Sequence, residues 1–295
     1  MLSSGTNQLP TVAFVGLGVM GRSMAGHLLD AGYQLVLFSR TASKAEDLLS
    51  RGASWAFSAG EAASRAEITI TIVGYPADVE EIYLAPGGIV QGSPRGSVIV
   101  DMTTSTPSLA KRIAEAAAAR GVLALDAPVS GGDIGAREAR LTIMVGGENE
   151  AFERALPLFE VMGKTVTHMG PAGTGQHTKM ANQIAIAGTM LGVVEALVYA
   201  KGQGLDPALV HSAIAAGSAG SWSMSNLGLR ILQDDFAPGF FVKHFVKDLR
   251  IALAEAETAG IDLPGLDLAK RLYERLAEDG GAELGTQALW RLYAE

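Results

Sequence analysis

The chain has 295 residues, 48% hydrophobic and 18% charged, a composition that supports packed cores and argues against intrinsic disorder. Its formal net charge of −8 argues against a nucleic-acid partner, because a phosphate backbone attracts basic surfaces. The sequence has no cysteine, which excludes disulfides, thiolate metal sites and cysteine nucleophiles and is compatible with a cytoplasmic protein.

Membrane and metal binding are also disfavoured by the sequence. The N-terminal segment MLSSGTNQLP lacks the basic region of a signal peptide. The most hydrophobic run, residues 184–200, is slightly short for a membrane span and contains Glu195, so we expect a buried helix there. The five histidines form no pair at the spacing of metal ligands, so we expect no metal site.

A glycine-rich turn joins the first predicted strand, residues 11–15, to the first predicted helix, residues 22–31. In the order strand, G-x-G-x-x-G, helix, the first glycine permits a tight turn and the second lets a pyrophosphate approach the backbone. The third lets helix and strand pack closely. We therefore expect this turn to bind a dinucleotide through Gly16, Gly18, Val19, Met20 and Gly21.

The second predicted strand, residues 34–38, ends at Ser39-Arg40-Thr41. NAD-preferring sites usually carry an acidic residue here, which binds the ribose 2′-hydroxyl and repels a 2′-phosphate. Arginine at this position would instead pair with the phosphate, so Ser39, Arg40 and Thr41 predict NADP, with NAD possible. The alternative is a solvated arginine in a surface turn.

Further apolar runs predict a parallel sheet with helices at residues 107–120 and 149–162. Ligands bind beyond the carboxyl ends of strands in such a sheet. We therefore expect Val73, Gly74 and Thr104 to contact the cofactor. Gly146-Gly147 is interpreted as the turn before the second of these helices. The additional predicted strands are residues 68–73, 97–100, 122–125, 141–145 and 165–168.

Ser130-Gly131-Gly132 follows the strand at residues 122–125. A hydroxyl next to two unobstructed backbone N–H groups suits a small carboxylate. By itself this segment fits a plain turn between strands equally well.

From Thr174 onward the pattern is helical, beginning with a long helix to about Lys201. A second helix starts at Asp206-Pro207, an N-cap followed by proline at the first helical position. We therefore predict a dinucleotide-binding domain over residues 10–169 and an all-α domain over residues 170–295. Further helices are predicted over residues 225–232, 243–259, 264–278 and 282–293.

The segment Gly170 to Asn182 lies where these two patterns meet. It contains three glycines followed by Lys179 and Asn182, which are one helical turn apart and therefore share a helix face. A lysine can act as general acid and base if burial lowers its pKa toward the operating pH. The alternative is an ordinary surface lysine.

Four blocks of sequence, in order, resemble the β-hydroxyacid dehydrogenases, a family that includes 3-hydroxyisobutyrate dehydrogenase, tartronate semialdehyde reductase and glyoxylate/succinic semialdehyde reductase. The resemblance extends from Pro10 to the C-terminus. The blocks are GLGVMGRSMAGHLLDAG (Gly16–Gly32), DAPVSGG (Asp126–Gly132), GPAGTGQHTKMANQ (Gly170–Gln183) and KDLRIALAEA (Lys247–Ala256).

The resemblance implies an α/β fold, with a Rossmann-like domain followed by an all-α domain joined through a long interdomain helix. It also implies that Lys179 is catalytic and that Asn182 orients the substrate. Ser130 to Gly132 would hold the substrate carboxylate, and Thr104 and Lys247 would contact the cofactor. Members of the family form homo-oligomers, so we expect a homodimer or homotetramer.

Two aromatic residues, Trp222 and Phe240, lie where family members line the substrate pocket. Because the sequence does not separate this role from packing, we expect both side chains in the core. The substrate itself also stays open, since several short semialdehydes and keto acids fit a carboxylate site beside a lysine.

Three alternative functions are weighed against this interpretation. A 6-phosphogluconate dehydrogenase typically has a histidine before the asparagine, whereas this chain has Ala181 before Asn182. Imine reductases commonly replace the catalytic lysine, which is present here as Lys179. A module that binds NADP without turnover would not need the lysine and asparagine pair.

Overall fold

The structure is a computed structural model that describes residues 9–293. Most of the N-terminal segment considered above as a signal peptide lies outside this range. The chain divides into two compact units, the first ending at Lys179 and the second beginning at Met180. This division falls within the helix Thr174–Gly202, and the domain boundary that we placed between residues 169 and 170 stays a prediction.

The first unit alternates short strands with helices, as the sequence predicts. A short 3-10 turn, Ala42–Ala45, precedes the second helix. The elements in chain order are β1 (Val12–Val15), α1 (Val19–Asp30), β2 (Leu35–Phe38), α2 (Glu46–Ser50), β3 (Ser54–Trp55), α3 (Ala59–Ser64), β4 (Ile68–Thr71), α4 (Pro76–Leu84), α5 (Ile89–Gly92), β5 (Val98–Asp101), α6 (Pro107–Ala118), β6 (Leu123–Asp126), β7 (Val129–Ser130), α7 (Gly132–Arg137), β8 (Leu141–Gly147), α8 (Asn149–Met162) and β9 (Gly163–Gly170).

These strands form one sheet in the order β3-β2-β1-β4-β5-β6-β8-β7, with β9 also paired to β8. The six strands from β3 to β6 are parallel, in the strand order of a Rossmann-like fold. β8 runs antiparallel to β6 and β7. The interpretation of Gly146-Gly147 as a turn is wrong, because both residues end β8 and pair with Asp126 and Leu125.

Both faces of the sheet are covered, which explains why its central strands are rich in apolar and β-branched residues. β1 and β4 are buried at every position. One apolar cluster lies on the face covered by α1 and α8, and another on the face covered by α3 and α6. Strands buried on both faces have continuous runs of β-branched residues instead of alternating patterns.

After β9 the described chain is helical apart from loops and an isolated bridge between Phe241 and Gly285. Asp206 caps its helix by accepting from the Ala208 N–H at 2.9 Å, as predicted. The segment predicted as a helix over residues 282–293 is instead a 3-10 helix over Thr286–Leu292. The α-helices are α9 (Thr174–Gly202), α10 (Pro207–Ala215), α11 (Leu229–Leu232), α12 (Val242–Thr258) and α13 (Pro264–Leu276), with π-helical segments at Ser223–Gly228 and Ala277–Gly281.

By length and composition α9 could cross a bilayer, with a mean hydropathy of 1.6 over its most apolar window. Of that window, 44% is buried inside the protein, and Met190, Val194 and Leu197 belong to the core of the second unit. A single helix of this kind is weak evidence for a membrane span, because core helices of soluble proteins have the same composition.

The second unit has its own core, in which the Tyr273 hydroxyl donates to the Thr286 carbonyl at 2.9 Å. Phe240 is partly buried against this core, as expected. The expectation for Trp222 is wrong, because this residue is 63% exposed at the start of the π-helical segment. The fold class is confirmed as a Rossmann-like α/β domain followed by an all-α domain.

Candidate active site

The three glycines of the glycine-rich turn differ in what surrounds them. Gly16 has a φ of +100°, and a Cβ there would lie 2.1 Å from the Ile72 carbonyl oxygen. A Cβ at Gly21 would lie 2.0 Å from the Gly16 carbonyl oxygen. At Gly18 a Cβ would meet no protein atom within 4 Å. The fold therefore requires Gly16 and Gly21, whereas Gly18 borders open space.

Open space at Gly18 lies in front of the N-terminus of α1. Gly18 is the N-cap, no side chain caps the helix, and its first turn contains no acidic residue. Val19 is 65% exposed, and Met20 packs against the neighbouring core. Uncapped N–H groups at a helix N-terminus bind anions, so these residues fit the pyrophosphate of a dinucleotide.

The segment after β2 carries the arginine that predicts NADP. The Arg40 side chain is 81% exposed, and its Nη1 lies 3.1 Å from Asp78 Oδ1 in the first turn of α4. The other oxygen of Asp78 accepts from the Tyr75 N–H at 3.0 Å. Ser39 and Thr41 flank this arginine. Asp78 is therefore fixed by the backbone, whereas Arg40 is held at the protein surface by one ion pair.

A buried carboxylate, Asp101, joins the ends of β4 and β5. Its Oδ1 accepts from Thr71 Oγ1 and from the Thr103 N–H, each at 3.0 Å. Thr103 Oγ1 in turn accepts from the Val73 N–H at 3.0 Å. The network fixes Val73, with Gly74 after it, and the loop that carries Thr104, three residues expected to contact the cofactor.

Burial raises the pKa of Asp101 to about 6, and the hydrogen bonds from Thr103 and Thr71 oppose this rise. The negative charge of Asp126, its register partner on β6, adds to it. Burial likewise raises the pKa of Asp126 to about 6, against hydrogen bonds from the backbone of Gly173 and Gln176. Two carboxylates thus lie side by side in the interior, where charge is costly.

Ser130, Gly131 and Gly132 form the junction between β7 and α7. Ser130 ends β7, where it pairs with Thr142. Gly131 and Gly132 have φ values of +130° and +63°, a conformation that favours glycine. The expectation that these residues bind the substrate carboxylate stays a prediction.

Lys179 lies in the second turn of α9 and is 6% exposed, so the alternative of an ordinary surface lysine is excluded. Before it, the helix starts at a glycine-rich loop in which Gly173 has a φ of +91°. Lysine is rarely buried to this extent.

In the second unit, a hydrogen-bonded chain links Asn182 to α12. Asn182 Nδ2 donates to Gln183 Oε1 at 2.7 Å, and Gln183 Nε2 donates to Asp248 Oδ2 at 2.6 Å. Asp248 Oδ1 lies 3.2 Å from Lys247 Nζ. Lys247 occupies the second turn of α12, and its side chain is 12% exposed.

Four buried polar side chains of these networks are not among the predicted site residues. Asp101 and Asp126 each end an apolar strand, which is the pattern that could have identified them. Gln183 and Asp248 are each 1% exposed and adjoin predicted site residues. Between residues 9 and 293 no group of three or more His, Cys, Asp or Glu side chains could hold a metal ion.

The first unit brings the predicted cofactor residues to the carboxyl ends of neighbouring parallel strands, β1, β2, β4 and β5. Lys247 and Asn182 belong to the second unit. The individual roles of all these residues stay predictions.

Two family models cover almost the whole chain. Residues 11–170 match the NAD binding domain of 6-phosphogluconate dehydrogenase, and residues 173–293 match the NAD-binding domain of NADP-dependent 3-hydroxyisobutyrate dehydrogenase.

Known relatives are similar along their full length. The uncharacterized oxidoreductase YkwC of Bacillus subtilis is 54% identical, over 97% of this chain and 99% of that protein. The 2-hydroxy-3-oxopropionate reductase of Escherichia coli is 40% identical, over 94% of this chain and 95% of that protein. The structure of Mycobacterium tuberculosis 3-hydroxyisobutyrate dehydrogenase with L-serine is 29% identical, with a TM-score of 0.90, and covers 97% of this chain and 100% of that one.

The chain therefore belongs to the β-hydroxyacid dehydrogenase family, as its four sequence blocks predict. It is an NAD(P)-dependent oxidoreductase of the family that acts on CH–OH groups.

Substitution of the turn glycines separates folding from cofactor binding. We expect Gly18→Ala to lose at most about 1 kcal/mol of stability, the cost of alanine at an N-cap, because its methyl group meets no protein atom within 4 Å. The same methyl group should raise the dissociation constant for NADPH by about tenfold or more, since it takes space that the pyrophosphate needs. Gly21→Ala should lose at least about 1–3 kcal/mol of stability by overpacking. Thermal unfolding and NADPH fluorescence titration measure the two effects. Wild-type NADPH affinity in Gly18→Ala would contradict the assignment of the pyrophosphate.

The raised pKa of Asp101 predicts a particular dependence of stability on pH. The folded state holds this proton more tightly than the unfolded state, whose aspartate has a pKa of 3.8. The resulting stabilisation is fully present below about pH 4 and is lost as the pH rises through about 6. In an Asp101→Asn variant the amide at this position cannot titrate. The free energy of unfolding of wild type minus that of the variant should therefore fall from pH 4 to pH 7. Urea unfolding at intermediate pH values tests this, and a difference that stays constant or rises contradicts it.

Proposed function

We propose that this member of the β-hydroxyacid dehydrogenase family interconverts a small hydroxy acid and its semialdehyde or keto form, with NADP preferred and Lys179 as the general acid/base. The observation that carries the proposal is the 6% exposure of Lys179 in the second turn of α9. A lysine is rarely kept in the interior without a function, because burial opposes its charge.

The cofactor is expected along the carboxyl ends of the parallel strands. Residues 16–21 would hold the pyrophosphate, and residues 39–41 the adenosine ribose with its 2′-phosphate. Val73, Gly74 and Thr104 would line the nicotinamide half, and Lys247 would add a further contact. When bound, the nicotinamide ring accepts a hydride from the alcohol carbon or returns it to the carbonyl carbon.

The chain's own residues would then supply binding and proton transfer. The Ser130 hydroxyl and the N–H groups of Gly131 and Gly132 would bind the substrate carboxylate. Lys179 Nζ would take the hydroxyl proton during oxidation and return it during reduction. In its ammonium form it stabilises negative charge on the same oxygen. Asn182, three residues further along α9, would hydrogen-bond the substrate beside it.

The preference for NADP rests on a comparison of two ion pairs of Arg40. Its partner in the structure is Asp78, at 3.1 Å, with the Arg40 side chain 81% exposed. An exposed ion pair of this kind contributes about 0–1 kcal/mol. A guanidinium bound to a 2′-phosphate makes charge-assisted and often bidentate hydrogen bonds, which are stronger. The phosphate would therefore displace Asp78 from Arg40.

The remaining features of the proposal follow from composition and family. The partner is a small substrate with a carboxylate, not nucleic acid or a membrane, and the protein works in the cytoplasm as a homodimer or homotetramer. A 6-phosphogluconate dehydrogenase-like or imine reductase-like activity is the second choice, and an NADP-sensing module without turnover is the third.

A substrate panel tests the proposed function directly. Purified protein is assayed with NADPH and NADH on glyoxylate, succinic semialdehyde, methylmalonate semialdehyde and tartronate semialdehyde. In the oxidative direction it is assayed on 3-hydroxyisobutyrate and L-serine, and on 6-phosphogluconate as the substrate of the alternative function. We expect turnover of at least one short carboxylate-bearing substrate. No turnover on the panel, or turnover of 6-phosphogluconate alone, would contradict the proposal.

Removal of the lysine tests its role within the reaction. Lys179→Ala should lower kcat by about 10²–10⁴-fold, the contribution of a general acid/base, while NADPH binding is retained. Lys201→Ala, an exposed lysine in the last turn of the same helix, is the matched control and should keep wild-type kcat. Near-normal turnover in Lys179→Ala would remove the lysine from the mechanism.

Removal of the arginine tests the preference for NADP. Arg40→Ala should lower the ratio of kcat/KM for NADPH over NADH by about 10- to 100-fold, because it deletes a charge-assisted contact made only with the phosphate. Arg112→Ala is the control, since Arg112 also forms an exposed ion pair, at 2.7 Å with Glu80. An unchanged ratio in Arg40→Ala, or an equal change in the control, would contradict the assignment.

A further inference from the structure

The start of α9 approaches the ends of β6 and β8 more closely than side chains allow. A Cβ at Gly146 would lie 2.6 Å from Asp126 Oδ1 and 2.7 Å from the Gly175 nitrogen. A Cβ at Gly175 would lie 2.5 Å from the carbonyl oxygens of both Asp126 and Met144. Both positions therefore require glycine, and the backbone of the helix start rests directly on the sheet.

At this contact the carboxylate of Asp126 uses both of its oxygens. Oδ1 accepts from the Gly173 N–H at 2.7 Å, and Oδ2 accepts from the Gln176 N–H at 2.8 Å. Asp126 is 3% exposed. The carboxylate thus takes two of the N–H groups that a helix N-terminus leaves without partners inside the helix.

The Gln176 side chain ties the same helical turn to the loop after β5. Gln176 is 0% exposed, its Nε2 donates to the Thr103 carbonyl at 2.7 Å, and its Oε1 accepts from the Ser105 N–H at 2.9 Å. These two backbone groups flank Thr104. The first turn of α9 is therefore anchored both to the end of β6 and to the loop after β5.

An ordinary helix cap differs from this arrangement in two respects. Asp206 caps α10 with one hydrogen bond, to the N–H of Ala208 two residues later. Asp126 is 47 and 50 residues away from its two donors, and it lies on another element. A local cap ends a helix, whereas a cap from the sheet also fixes where the helix lies on that sheet.

Burial of the charge supports the same interpretation. Desolvation opposes the ionised form of Asp126, and its pKa rises to about 6 despite the hydrogen bonds it accepts. A neutral asparagine or serine would cap a helix without this desolvation. It would not, however, accept two hydrogen bonds from N–H groups with two separate oxygens.

We propose that Asp126 is a positioning residue, whose carboxylate holds the first turn of α9 against the sheet and thereby sets the position of Lys179. This inference rests on the proposed catalytic role of Lys179. Lys179 follows Gln176 by three residues, which is about 4.5 Å along the axis of a stiff helix. A displacement of the first turn is therefore transmitted to the lysine. A misplacement of about 1 Å can lower catalysis by about 10²-fold.

The test is Asp126→Asn, which keeps the size of the side chain but replaces one accepting oxygen with an amide N–H₂ donor. We expect kcat to fall by about 10- to 100-fold while KM and the dissociation constant for NADPH stay within about threefold of wild type. Asp206→Asn is the matched control. It makes the same chemical change at a cap outside the site, and it should keep wild-type kcat. Gln176→Met removes the two hydrogen bonds of the Gln176 side chain while keeping a similar side-chain volume. It should lower kcat in the same way, and it replaces Asp126→Asn in the test if that variant does not fold.

The outcomes separate this inference from the proposed function. The positioning role is supported if the wild-type protein turns over a substrate while Asp126→Asn and Gln176→Met have a lower kcat. Faster hydrogen exchange of residues 173–179 in these variants supports it further. The positioning role is overturned if the wild-type protein is active and Asp126→Asn keeps its kcat. It is also overturned if the control Asp206→Asn loses as much kcat as Asp126→Asn. A wild-type protein without turnover on the substrate panel overturns the proposed function, and the positioning role falls with it.

Discussion

Two backbone N–H groups at the start of α9 donate to one buried carboxylate, that of Asp126. A charge in the protein interior is tolerated only when its lone pairs are hydrogen-bonded, so this contact constrains both the helix and the sheet. Gly146 and Gly175 are glycines because the start of α9 approaches Asp126 and the end of β8 so closely. Lys179 is placed by the same contact, one turn further along the helix.

Asp126 belongs to a row of register partners that crosses the sheet from Val15 through Thr71 and Asp101. The row changes from apolar to polar toward β6, at the edge where the strands end. Through Thr103, Asp101 fixes the two loops that carry the expected contacts with the nicotinamide half of the cofactor. Hydrogen bonds in a low-dielectric interior reinforce one another, which makes such a network stiff. One row of side chains thus supports the expected cofactor crevice and the start of α9.

Local patterns predicted much of this architecture, because β1, the glycine turn and α1 are encoded by consecutive residues. The long helix α9 and the N-cap at Asp206 were also predicted, since apolar composition and capping are local properties. Contacts between distant residues were not. Nothing near Asp126 in the sequence indicates donors 47 and 50 residues away. The antiparallel pairing of β8, and the exposure of Trp222 at the start of a π-helical segment, likewise depend on tertiary packing.

The central claim is that a buried lysine of a Rossmann-like dehydrogenase meets the reacting oxygen of a small hydroxy acid. A crystal structure of the protein with NADPH and a bound hydroxy acid from the substrate panel tests it most directly. The account predicts Lys179 Nζ within about 3.2 Å of the substrate hydroxyl oxygen, and the substrate carboxylate at Ser130 to Gly132. A hydroxyl oxygen bound to another side chain, with Lys179 more than about 5 Å away and no bridging water, would contradict it.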